Sequence, residues 1–91
     1  MIALRQTRQF EKAYKKLRPN QKTVADKAIR AIASDPELGE RKKGDLAHVR
    51  VYKFSMLGGL TLLGYSYDED DLLILLLAVG GHENFYRDLK K

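Results

Sequence analysis

At 91 residues, with a formal net charge of +5 and no cysteine, the chain suffices for one domain and excludes disulfides, thiolate nucleophiles and thiolate-held metals. Its opening residues lack the apolar core of a signal peptide, and its longest apolar run, Leu72 to Val79, is far short of the roughly 20 residues that cross a bilayer. The expectation is a cytoplasmic protein without membrane attachment, and residues 1–30, with nine Lys/Arg against Glu11 and Asp26, favour acidic or phosphate-bearing partners.

A short apolar start, residues 2–5, reads as an edge strand. Thr7 can then cap a helix in which Phe10, Ala13, Tyr14 and Leu17 form one apolar stripe and Arg8, Lys12, Lys15 and Lys16 take the other face. Pro19-Asn20 interrupts that pattern, Asn20 is a candidate cap, and Val24, Ala28, Ile29 and Ile32 form a second stripe that stops at Asp35-Pro36. From Leu46 onward the period becomes that of strands, with segments at 46–54, 60–67 and 72–79. Their separators, Met56-Leu57-Gly58-Gly59 and Asp68-Glu69-Asp70-Asp71, are turn-like.

These elements predict a single α+β domain over 1–91: two N-terminal helices packed on one face of a mainly antiparallel four-stranded sheet. The helices should cover the apolar set Ala47, Val49 and Val51, which places His48, Arg50, Tyr52 and Phe54 on the open face. His82 and Tyr86, delivered by Gly80-Gly81, would join them there, with Lys53 at the rim. Basic and aromatic side chains on an open sheet face suit single-stranded RNA, whose bases stack and whose phosphates pair with cations. With only His48 and His82 as histidines and the acids gathered in a hairpin turn, neither a metal nor another cofactor is expected.

The chain resembles the RelE/ParE superfamily of toxins from toxin–antitoxin pairs over nearly its whole length. Three segments carry the resemblance: Phe10-Glu11-Lys12-Ala13-Tyr14-Lys15-Lys16-Leu17 for the first helix, Leu46-Ala47-His48-Val49-Arg50-Val51-Tyr52 for the arginine-bearing strand, and Val79-Gly80-Gly81-His82-Glu83-Asn84-Phe85-Tyr86 for the closing glycine-histidine-aromatic segment. It implies a RelE-like fold and one of two activities. RelE-like members are ribosome-dependent endoribonucleases that cut mRNA, and ParE-like members poison DNA gyrase without cleaving RNA. The ending around His82 and Tyr86 resembles the nuclease branch, especially its YafQ-type members.

On that resemblance the catalytic candidates are His82, Arg50, Tyr86 and His48, and the RNA-binding candidates are Lys42, Lys43, Lys53, Tyr52 and Arg87. Metal-independent RNA cleavage needs proton transfer from the 2'-hydroxyl and to the leaving 5' oxygen, plus cations on the developing phosphorane charge. His82 fits a proton-transfer role and Arg50 the phosphate clamp, provided the two converge on one phosphodiester. Ala78 stands where nuclease members commonly carry an arginine, and Lys42 and Lys43 occupy the loop where YafQ-type members place a histidine. The implied partners are a cognate antitoxin, expected to be acidic, together with mRNA and the ribosome, or DNA gyrase on the alternative reading.

Overall fold

The computed structural model describes residues 2–89. In chain order these form β1 (Ala3–Gln6), α1 (Arg8–Lys15), α2 (Pro19–Ser34), β2 (Glu40–Arg41), a 3-10 turn (Gly44–Leu46), β3 (Arg50–Met56), β4 (Gly59–Asp68), β5 (Leu73–Gly80) and α3 (His82–Leu89). The sheet has five strands in the order β1-β5-β4-β3-β2. β3, β4 and β5 form the expected antiparallel meander, and β1 pairs parallel to β5 at the edge. The fifth strand, β2, was not predicted, because two residues paired to the start of β3 are too few to show a period.

Local chemistry sets the helix ends. Thr7 caps α1 as its sequence suggests, its hydroxyl oxygen accepting from the Phe10 N–H at 3.1 Å. α2 begins two residues earlier than an Asn20 cap would require: Arg18 is the cap, Pro19 takes the first turn, and the Gln21 side chain accepts from the Arg18 N–H at 2.8 Å. Proline needs no intrahelical N–H partner there. The two helices are tied together where the Tyr14 hydroxyl donates to Asp26 at 2.8 Å.

Both faces of the sheet are covered. On one face, Phe10, Ala28 and Ile32 of the helix hairpin pack against Leu63, Tyr65, Ile74, Leu76 and Val79, with Tyr52 and Phe54 alongside. On the other, Phe85 of α3 packs over Val49, Val51, Leu62 and Ala78. The sequence-based facing of β3 is therefore inverted: Tyr52 and Phe54 lie under the helix hairpin, and the valines lie away from it. The expected open face is covered by α3. The third helix gives that face a core of its own, so the aromatic set can take the space above the small side chains of α2 while the valines are buried under Phe85.

Backbone detail fits α3 to the sheet. A Cβ on Gly64 would stand 2.6 Å from the Phe85 ring, so glycine allows that ring to approach β4 this closely. The register shifts between Gly64 and Tyr65, leaving Leu77 as the extra residue on β5, where it joins the cluster around Phe85. Gly80 has φ 157°, a conformation L side chains rarely adopt, and it turns the chain from β5 into α3.

Candidate active site

α3 begins at His82, immediately beyond the glycine pair, and its i, i+4 spacing sets the His82 ring against that of Tyr86. The ring centroids lie 4.9 Å apart at 59°. Tyr86 in turn meets Phe85 edge-on at 5.0 Å, so the buried Phe85 fixes the more exposed pair. Across from α3, the Lys42 N–H donates to the Val49 carbonyl at 3.0 Å, which carries strand pairing one residue past β2. That pairing aims the side chain, and the Lys42 ammonium sits 5.4 Å from the Tyr86 ring centroid.

Lys42 is held above its ordinary pKa, chiefly by hydrogen bonding with Tyr86, with smaller support from charge on Tyr86 and Glu40 against the opposing effect of desolvation. It is thus an ammonium throughout the neutral range, suited to holding a phosphate and unsuited to removing a proton. The start of α3 adds backbone donors. Its first internal bond is Phe85 N–H to the Gly81 carbonyl at 2.8 Å, which leaves the N–H groups of residues 82–84 without an intrahelical acceptor beside the imidazole. Imidazole, phenol, ammonium and helix N-terminus are thus brought together at the end of β5.

Lys53 lies on the same face as α3, not on the hairpin side: it pairs with Leu62, which pairs with Gly80, putting it two strand spacings, roughly 10 Å, from the strand that ends at the glycine pair. Lys43 is exposed at the start of the 3-10 turn. The other sequence-based candidates are elsewhere. Arg50 shares the side of β3 that carries Tyr52, opposite α3, and its guanidinium donates to the Gly39 and Glu37 carbonyls at 3.0 and 3.4 Å. Arg50 and His82 do not converge, because the inverted facing of β3 separates them.

His48 precedes β3 in a turn; the strand starts at Arg50 and not at Leu46. It lines a separate groove with Arg41, Arg50, Tyr67, Asp68 and Glu69. Tyr52, half-buried, stacks on Phe54 at 5.9 Å against the hairpin-side core, on the face of the sheet away from α3. Arg87 bonds the Asn84 side chain on the opposite flank of α3 from Tyr86. Ala78 is buried under Phe85, so the place of the expected arginine is filled by core packing. The contact between Lys42 and Tyr86 was missed by sequence reasoning, since it joins elements far apart in the chain.

Among the described residues no three His, Asp or Glu side chains gather as a metal site, and no helix is long and apolar enough to cross a membrane.

Comparison with known proteins places this architecture. Residues 4–90 match the profile of the ParE-like toxin of type II bacterial toxin–antitoxin systems. No curated protein matches the sequence significantly. Among solved structures, the toxin–antitoxin complex RelBE of E. coli gives a TM-score of 0.71 at 16% identity, covering 89% of this chain and 96% of that one. A RelBE complex of Mycobacterium tuberculosis gives 0.75 at 19% identity, covering 89% and 98%. The archaeal RelE–RelB complex of Pyrococcus horikoshii gives 0.60 at 17% identity, covering 88% and 93%. With nearly the whole chain inside the family profile and the RelE-like fold reproduced, this chain belongs to the ParE-like toxins of type II bacterial toxin–antitoxin systems.

Proposed function

We propose that this toxin is a metal-independent endoribonuclease that cleaves mRNA, with the scissile phosphodiester bound at the N-terminus of α3 between His82 and Lys42. The observation that carries this reading is the packed group of His82, Tyr86 and Lys42. In the reaction the ribose 2'-hydroxyl attacks the phosphorus and gives up its proton to a solvent water, the bond to the 5' oxygen breaks, and a cyclic phosphate and a 5'-hydroxyl result. His82 protonates the leaving 5' oxygen, a contribution of roughly 10²- to 10⁴-fold for a well-placed acid. Lys42 and the N–H groups of α3 carry the phosphorane charge, and Tyr86 holds both side chains in place.

Arg50 has no part in this scheme. Its place as phosphate cation passes to Lys42, with Lys53 and Lys43 flanking the RNA. So sparse a site gains from a substrate already held in shape, and we therefore place the cleavage on the ribosome, as the RelE-like resemblance implies. The protein partner is a cognate antitoxin, whose expected acidity matches the surplus positive charge.

A second reading, a non-enzymatic toxin that binds DNA gyrase, is favoured by one observation: position 78 is a buried alanine and Arg50 is turned away, so the site holds fewer cations than the nuclease branch. One experiment separates the two. Expression without antitoxin, followed by mapping of mRNA 5' ends in wild type and His82→Ala, should yield new ends that disappear in the variant. Growth arrest with intact transcripts and broken DNA, unchanged by His82→Ala, would establish gyrase poisoning instead.

A further inference from the structure

The sequence's first positive cluster is not a uniform solvated face. Arg8, Lys12 and Lys16 recur every fourth residue and form one wall of a groove of about 670 Å³, and Arg87 and Asn84 of α3 form the other. The single ion pair on this helix among the described residues, Lys15 to Glu11, lies outside the lining, and among the described residues no acidic side chain lines the groove. Arg87 bonds the Asn84 side chain, which orients its guanidinium within the wall. The floor reaches Gly80, two residues from His82.

The geometry points to a second nucleic-acid subsite here: the α1–α3 groove holds backbone phosphates of the single-stranded RNA whose scissile bond lies at His82. This rests on the nuclease reading for the identity of the strand. The lining itself favours a sugar-phosphate backbone over a protein segment. Arg, Lys, Asn and Gln are among the side chains that contact phosphates, whereas among the described residues the apolar lining is Ala13 and Val79, too small to offer the anchor pockets on which protein interfaces depend. Successive cations on α1 are separated by about 6 Å of helix rise, so the wall tracks an extended chain of charges and not one isolated anion.

The test uses the full-length protein and a short 2'-O-methyl oligoribonucleotide, which lacks the attacking hydroxyl and stays intact. Binding is followed by fluorescence anisotropy over a salt series. The pair Arg8→Gln/Lys12→Gln should weaken binding about tenfold and lower the log–log salt slope by ~1.4, at ~0.7 per lost contact to a single strand. The pair Lys27→Gln/Arg30→Gln, which removes equal charge from exposed positions of α2, should change the slope far less. Arg87→Gln tests the opposite wall, with about half the change in slope, should the double variant fold poorly.

Equal weakening by the two pairs would overturn the proposal, as would wild-type binding by the groove variants. So would groove variants that release an acidic antitoxin while holding RNA as before. The outcome is separable from that of the cleavage reading. RNA held by the groove in a protein that leaves transcripts intact defeats cleavage alone, and transcripts cut by a protein indifferent to the groove charges defeat the groove alone.

Discussion

Arg50 and Tyr65 face each other across the β3–β4 ladder and grip the same loop from two directions. The Tyr65 hydroxyl donates to the Pro36 carbonyl at 2.7 Å and accepts from the Gly39 N–H at 2.9 Å, while Arg50 donates to the Gly39 carbonyl at 3.0 Å. Tyr65 is fully buried. Its removal by Tyr65→Phe leaves two backbone groups unpaired, and urea unfolding should show a loss of ~1–3 kcal/mol. Arg50→Ala, in partial solvent, should lose ~0.5–1.5 kcal/mol. Because both act on one loop, the double variant should depart from additivity. The folded Arg50→Ala protein should still cut mRNA; a collapse of cleavage without unfolding would return Arg50 to the site.

Gly64 is the point where α3 meets the sheet. Gly64→Ala drives a methyl group into the Phe85 ring, and overpacking of this kind costs ~1–3 kcal/mol. Thermal unfolding should report the loss. Since the same displacement carries His82 and Tyr86 away from Lys42, cleavage measured below the unfolding transition should fall too, unlike in Tyr65→Phe, whose damage lies on the opposite face of the sheet.

On the proposed cleavage Lys42 serves as a fixed cation, so charge and reach both matter. Lys42→Ala should reduce mRNA cleavage by ~10²–10³-fold, the scale for removing one transition-state electrostatic donor, with stability nearly unchanged. Lys42→Arg should retain part of the activity. His48→Ala, in its separate groove, should leave cleavage at the wild-type level. Equal losses from His48→Ala and Lys42→Ala in ribosome-dependent cleavage assays would remove the distinction drawn between the two sites.

Two phenols link the fold to alkaline pH. Hydrogen bonding to the Asp26 carboxylate, followed by burial, raises the Tyr14 pKa, and burial raises that of Tyr65 despite opposing effects from Gly39 and Arg50. Each holds its proton more firmly folded than unfolded. Their stabilisation is therefore complete below the ordinary phenol value of 10.0 and is lost as pH rises through the raised folded values. Thermal midpoints should fall on the alkaline side of that value. In Tyr14→Phe the decline should be shallower, starting from a slightly lower midpoint; an unchanged profile in the variant would show that this phenol does not contribute.

The sequence by itself determined the helix hairpin, the three-strand meander and the family, because each depends on local signals: a 3.6-residue stripe below Thr7, proline punctuation at 19 and 36, and turn chemistry at 56–59 and 68–71. It also singled out His82, Tyr86 and Lys42 individually. Tertiary structure alone decided which of the candidates meet. Strand alternation separates the two sets of β3 side chains but carries no label for which face each one takes, and that choice was made by α3, eight residues too short for periodicity to distinguish from a loop. Once Phe85 covered Val49 and Val51, Arg50 was committed to the hairpin side and became a clamp on the loop at Gly39, while Lys42 was brought to the ring of Tyr86.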